Sequence, residues 1–289
     1  MPYVDLHLHS HYSDGQSSPT ELIRMAAEND LAAVAICDHD NVDATDEAIA
    51  AADRAGIEIL TGVELSTVFG QFQDLHLLGY GFDHHHPHLR QALREFQDFR
   101  ATRNRRIMEN INRLLLEEGR KPLDFATIRN RTRGALGRPH VAGELVRLGY
   151  VKDMGEAFSR YLHPCNEPKR FLPTPEAISL VLEAGGVPVL AHPYLITKSR
   201  GLLDELCQNL VPEGLEGLEA YSSSSTQEET AQLITLARRH GLIVTGGSDF
   251  HNLESGLMIG TGWGNLRVPY QCLKDLRRQL AQKKESRVH

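Results

Sequence analysis

Two parts of this chain alternate strand and helix patterns, and that alternation limits the fold more than any other feature. "YVDLHLH" reads as a strand, and "SPTELIRMAAEND" as a helix with Ser18 at the N-cap and Pro19 at the first helical position. "LAAVAICDH" is a near-continuous apolar run, the pattern of a strand covered on both faces. "VDATDEAIAAADRAG" reads as a helix closed by Gly56, and "IEILTGVELS" and "DLHLLGYG" as further strands. After Pro173 the alternation resumes with helix "TPEAISLVLEAGG", strand "VPVLAHP" and strand "LEGLEAY". Helix "TQEETAQLITLARRHG" and strand "LIVTGGSDFH" complete it. Such alternation implies an α/β fold with a parallel sheet or barrel.

The middle departs from this pattern. Residues 87–173 have helical periodicity and no strand signal, so they are expected to be a helical insertion between barrel segments 1–86 and 174–289. Charge divides the same way. The insertion carries 18 Lys and Arg against 10 Asp and Glu, a balance of +8, while the remainder has 13 against 28, a balance of −15. An acidic body with a basic middle suggests cations held by one part and an anionic ligand gripped by the other. Cys37, Cys165, Cys207 and Cys272 form no CxxC pair, and no signal-peptide pattern or long apolar run is present. The expectation is a cytoplasmic protein with buried free thiols and no membrane partner.

Metal-type side chains fall at the strand ends. Strand "YVDLHLH" ends in His7 and His9, which share a face because a strand repeats every two residues. Leu6 and Leu8 are expected to point the other way, toward covering helices. Asp14 follows in the next loop. Asp38, His39 and Asp40 end the second strand, Glu64 the third, and His76 lies on the fourth. His192, then Asp249 and His251, end later strands. In a parallel barrel the strand C-termini meet at one face, where these residues should converge. A single HxH is commonplace, but nine such residues would be costly to bury uncompensated. They exceed the needs of one ion and suit two or three. Mixed imidazole and carboxylate ligation fits Zn, Mn or Fe. His11 reads as an exposed loop residue. "HHHPH" at 84–88 reads as an exposed turn before a helix, with a metal patch as the alternative.

The motifs "DLHLHSHYSDG", "CDHD", "GVELS", "HLLGY", "LAHP" and "GSDFH" together resemble the PHP family, named for polymerase and histidinol phosphatase. The resemblance implies a distorted (β/α)7 barrel with a trinuclear metal site at its C-terminal face. It implies that His7, His9, Glu64 and Asp249 hold one ion. Glu64 would bridge to a second ion held by His76 and His192, and Asp14, His39 and His251 would hold a third. Mn2+ is the first expectation for the ions, with Zn2+, Fe2+ and Mg2+ as alternatives. "RNRRI" and "GALGRPHVAGELV" resemble the subgroup of 3′,5′-nucleoside bisphosphate phosphatases, whose related members are 5′-to-3′ exonucleases on short RNA.

Paired ions can activate a water and clamp phosphoryl oxygens, so direct attack of a metal-bound hydroxide on the 3′-phosphorus is the expected chemistry. A second phosphate needs its own partner, and arginine offers a bidentate fork. Arg103, Asn104, Arg138 and His140 are the candidates, reaching over the barrel mouth. Arg129, Arg131 and Arg133 read as a solvated basic loop, with RNA contact as the alternative. The expected partner is a nucleoside bisphosphate or short 5′-phosphorylated RNA, with no obligate protein partner. Histidinol-phosphate phosphatase activity is one competing reading, and a non-catalytic nucleic-acid-binding or proofreading module is another.

Overall fold

The computed structural model describes residues 2–132, 136–253 and 256–288. The chain divides into two compact units, Met1–Leu93 with Phe171–His289, and Arg94–Arg170. Among the described residues no helix is long and apolar enough to cross a membrane.

In the first unit, β1 (Tyr3–Leu8), α1 (Pro19–Glu28), β2 (Leu31–Ile36), α2 (Thr45–Ala55), β3 (Glu58–Phe69) and β4 (Phe72–Tyr80) follow in order. Helix α3 (Pro87–Glu117) then crosses into the second unit. That unit holds α4 (Phe125–Arg131), α5 (Arg138–Arg147), α6 (Met154–Ala157) and a π-helical turn, Phe158–Leu162. It has its own core, including Ile111, Leu115, Val141, Leu145, Tyr161 and Leu162. The chain returns through β5 (Leu172–Pro173), α7 (Thr174–Glu183), β6 (Val187–Leu190), α8 (Pro193–Ile196), α9 (Arg200–Leu210) and β7 (Gly217–Ser222). It ends with α10 (Gln227–Arg239), β8 (Ile243–Gly247), β9 (Val268–Pro269) and α11 (Gln271–Val288). Caps explain several of these boundaries. Ser18 and Glu21 form a capping box at α1, Thr226 and Glu229 do so at α10, and Gly56 ends α2 at φ +68°.

The sheet runs in the order β8-β7-β6-β4-β3-β2-β1-β9, with β5 on β3. Strands β1, β2, β3, β6, β7 and β8 share one direction, as a (β/α) barrel requires. Strand β4 is antiparallel to both β3 and β6, which corrects the expectation of a fully parallel set. The reason is local. Only Gly70 and Gln71 separate β3 from β4, Gly70 at φ +55°, and a two-residue connection permits only a hairpin. His76 therefore reaches the same face as Glu64 from the opposite direction, paired with Ser66.

The barrel closes between β8 and β1 through residues just past β8. Asp249 N–H donates to His7 O and His9 N–H to Phe250 O, both at 2.9 Å, beside a parallel bridge between Leu8 and Phe250. A second correction concerns Leu6. Leu8 packs with α1 and α2, but Leu6 packs with Ala33, Ala35, Leu78, Val189 and α11 residues Leu273 and Leu276. The β1–β2 register shifts between Asp5 and Leu8, so simple alternation fails there. All four cysteines are free and buried.

Closure needs close backbone approach at Gly247, where an added Cβ would lie 2.4 Å from His7 N. Gly247→Ala should therefore destabilise by about 1–3 kcal/mol, the usual range for overpacking. That lowers Tm by at least ~2 °C. An unchanged thermal-unfolding midpoint by circular dichroism would show that the β8–β1 seam tolerates a side chain.

Candidate metal centre

The nine strand-end residues all belong to the barrel unit, and their polar atoms lie together. Glu64, only 1% exposed, is at the middle. Its Oε2 lies 3.4 Å from His7 Nε2, 3.3 Å from His9 Nε2 and 3.0 Å from His39 Nδ1. Its Oε1 lies 2.9 Å from both His76 Nδ1 and His192 Nε2. One carboxylate thus presents its two oxygens to two different sets of imidazoles. Asp249 Oδ1 completes the first set, 3.0 Å from His9 Nε2 and 3.6 Å from His7 Nε2. Asp14 builds a third, 3.3 Å from His251 Nε2, 3.7 Å from His39 Nε2 and 3.8 Å from His9 Nδ1. His11 is elsewhere, stacked on Tyr12.

The loops are fixed by residues that take no place in these sets. Asp38 accepts from Ser10 N–H, Ser10 Oγ and Ser13 Oγ at 2.6–2.7 Å, which shapes the loop carrying Asp14. Asp40 accepts from Ser66 N–H and Oγ at 2.8 and 2.9 Å. His39 is thereby clamped between two anchored aspartates. Gly15 allows the tight return of the same loop, since a Cβ there would sit 2.2 Å from His9 O. Asp40, His192 and Asp249 adopt φ of 50°, 25° and 58°, the left-handed region that disfavours side chains. Such strain costs of order 1–3 kcal/mol per residue and gathers at functional sites.

Glu219 escaped the sequence reading. It is fully buried and accepts from His7 Nδ1–H at 2.9 Å and from His192 N–H at 2.7 Å. The first bond leaves His7 Nε2 free to ligate, the usual carboxylate–histidine arrangement behind a metal. His251 is oriented in the same way, with Nδ1–H donating to Asp249 O at 2.9 Å. The one signal for Glu219 was a charged residue within the otherwise apolar "LEAY" strand.

Electrostatics and orphan atoms both point to cations. Burial would raise the Glu64 carboxyl, but the imidazoles around it hold it well below the ordinary range. Burial would lower His9 and His76, yet Asp249 and Glu64 for the one, and Glu64 and Asp74 for the other, hold each at about 10. Positive charge is thus demanded at this place. Glu64 Oε2 and one ring nitrogen each of His9, His39 and His192 are buried without a hydrogen-bond partner. Buried polar groups are normally satisfied, and an ion held by Glu64 and its imidazoles would satisfy Glu64 Oε2. The residues fit divalent cations, whose binding would displace the imidazolium protons.

The four substrate-binding candidates all lie in the helical unit. Asn166 Oδ1 accepts from Arg103 Nη2 at 2.8 Å and from Arg138 Nη1 at 3.3 Å, which brings the two guanidinium groups together. Asn104 is 6% exposed and donates to Leu136 O, so its amide serves this unit's packing. His140 caps α5, accepting from Gly137 N–H at 3.0 Å. Arg131 pairs with Glu144, and Arg133 lies outside the described residues.

Comparison with known proteins agrees with this geometry. Residues 5–129 match the PHP domain model. A 5′-3′ exoribonuclease of Haemophilus influenzae is 34% identical over 86% of this chain and 89% of its own length. The chain belongs to the PHP family. A 3′,5′-nucleoside bisphosphate phosphatase of Chromobacterium violaceum is also 34% identical, over 87% of this chain and 88% of its own. The crystal structure of a Bifidobacterium adolescentis protein, described as a candidate metal-dependent phosphoesterase, superposes with a TM-score of 0.81. It shares 29% identity and covers 96% of both chains. The PHP-type (β/α)7 barrel is thus this chain's fold.

Removing Glu219's charge tests the orienting bond. Glu219→Gln should weaken divalent-metal binding by about 10–100-fold, as loss of outer-shell partners does. Calorimetric titration of the metal-free protein reads this directly, and unchanged affinity would exclude an orienting role.

Proposed function

We propose that this chain is a divalent-metal-dependent phosphoesterase that removes the 3′-phosphate from nucleoside 3′,5′-bisphosphates. The observation that carries the reading is Glu64, whose two oxygens serve two sets of imidazoles, as a carboxylate shared between ions would. His7, His9, Glu64 and Asp249 would hold one ion, Glu64, His76 and His192 a second, and Asp14, His39 and His251 a third. Divalent ions bound there supply a water of lowered pKa and neutralise phosphoryl oxygens. Mn2+ is the metal we expect first.

The residues of the chain do the rest. Glu219 fixes the ring of His7, while Asp38 and Asp40 hold the loops of Asp14 and His39. Asp14, Asp249 and His251 are the most exposed members, with side chains 50%, 29% and 28% accessible, and mark the side open to substrate. Arg103 and Arg138 would take the 5′-phosphate as paired charged donors, with Asn104 and His140 shaping the segments that carry them. This second grip separates the reading from histidinol-phosphate phosphatase, whose substrate has one phosphate. The names of the Haemophilus and Chromobacterium relatives support two substrates of one site. A 5′-phosphorylated RNA end offers a 5′-phosphate and a 3′-phosphodiester, the same two groups. Exonucleolytic trimming of short RNA is therefore proposed as a second activity.

Phosphate release is the assay. Adenosine 3′,5′-bisphosphate should be hydrolysed far faster than histidinol phosphate, and the reverse order would sink the proposal. Arg138→Ala should lower kcat/KM on the bisphosphate by about 10–150-fold, the worth of one charged hydrogen bond. A nucleoside 3′-monophosphate should be nearly unaffected, and equal losses on both would remove Arg138 from 5′-phosphate recognition. Asp249→Ala should lose bound metal and turnover together; a fully active, metal-free variant would end the metal-centre reading.

A further inference from the structure

The histidine run at 84–88 lies outside the barrel-mouth cluster, and two of its members meet an aspartate from another element. Asp46 is the second residue of α2, and His84 and His85 lie in the turn between β4 and α3. Asp46 Oδ1 is 2.8 Å from His84 Nε2 and 3.8 Å from His85 Nε2. The two rings stand 4.0 Å apart, and the three ligand-type atoms all lie within 4.8 Å of one another. Two consecutive imidazoles that aim the same nitrogen at one carboxylate oxygen exceed what a simple surface hydrogen bond requires.

The backbone that presents them is held in place. Asp83 Oδ1 accepts from His85 N–H at 2.9 Å, and Asp83 O from His86 N–H at 3.0 Å. Asp83 N–H donates to Ala184 O at 2.9 Å, which ties the turn to the end of α7. Arg90 Nη2 donates to Asp43 Oδ1 at 3.1 Å, so α3 is also tied to the residues just before α2. The positions of Asp46, His84 and His85 are thus set by contacts other than their own.

We propose that Asp46, His84 and His85 form a surface binding site for one divalent cation of the zinc class, separate from the barrel-mouth centre. The donor set is two imidazoles and a carboxylate, which zinc accepts with water in the fourth position. Tetrahedral bonds of about 2.0–2.1 Å separate ligand atoms by about 3.4 Å, between the two distances seen here, so small rotamer changes complete the site. Asp46 and His85 are mostly exposed, with side chains 71% and 63% accessible, which leaves room for that water. An ion here would join the first turn of α2 to the start of α3, and so stabilise the folded barrel increasingly as free ion rises above its dissociation constant.

The test uses the full-length protein. Metal-free wild type and a H84A/H85A double variant are equilibrated with buffered Zn2+, and bound zinc is counted by mass spectrometry. Wild type should hold one more zinc per chain, and phosphate release by the two proteins should agree within twofold. A zinc-soaked crystal should show an anomalous peak among the three side chains. The single variant H85A, at a mostly exposed position, should bind the extra ion at least tenfold more weakly. Equal zinc content in both proteins, or no anomalous peak there, overturns the proposal. So does a double variant that loses zinc only in step with activity, since that places the effect at the barrel mouth.

Discussion

Everything at the open end of this barrel depends on one buried carboxylate. Glu64 sits almost without solvent among His7, His9, His39, His76 and His192. A lone carboxylate in that place would be several kcal/mol out of balance, so the surroundings must supply positive charge. Protonated imidazoles can do so, and divalent cations can do so better, because they also satisfy Glu64 Oε2, which has no hydrogen-bond partner. The strained backbone at Asp40, His192 and Asp249 is tolerated at the same spot. It persists because the hydrogen bonds of Asp40 with Ser66, of Glu219 with His192 and of Asp249 with His7 over-determine it.

The same residues also close the barrel. The backbone bonds between Asp249 and His7, and between Phe250 and His9, join β8 to β1 at the level of the metal-type side chains. Fold and site are thus one structure at this seam, and loosening either should disturb the other. Glu219 belongs to this logic as well. It joins β7 to a side chain of β1 and to the backbone after β6, three strands meeting at one buried group.

Much of this was legible in the sequence, and for a local reason. Strand–helix alternation, caps at Ser18 and Gly56, and histidines two apart on β1 all follow from short-range periodicity and sterics. The strand-end residues could be gathered because parallel strands bring their ends to one face. The direction of β4 was missed, although the short "FGQF" link between two strand patterns carried it. Leu6 was misplaced because a register shift between strands leaves no mark in a single strand's alternation. Nothing in the sequence says what Asp38 beside His39 does, and only its bonds to Ser10 and Ser13 show an anchor.

Residue types and their spacing determined by themselves that this chain would build an α/β barrel with imidazoles and carboxylates at one end. Periodicity and strand polarity are properties of a few neighbouring residues, so they survive in one dimension. Tertiary structure alone decided which oxygen of Glu64 faces which histidine, that Glu219 stands behind His7, and that Asp46 meets the His84–His85 turn. It alone set Arg103 and Arg138 on one Asn166 oxygen while Asn104 turned inward. Those pairings join residues far apart in the chain, and no local pattern encodes a distance of about three ångströms across elements.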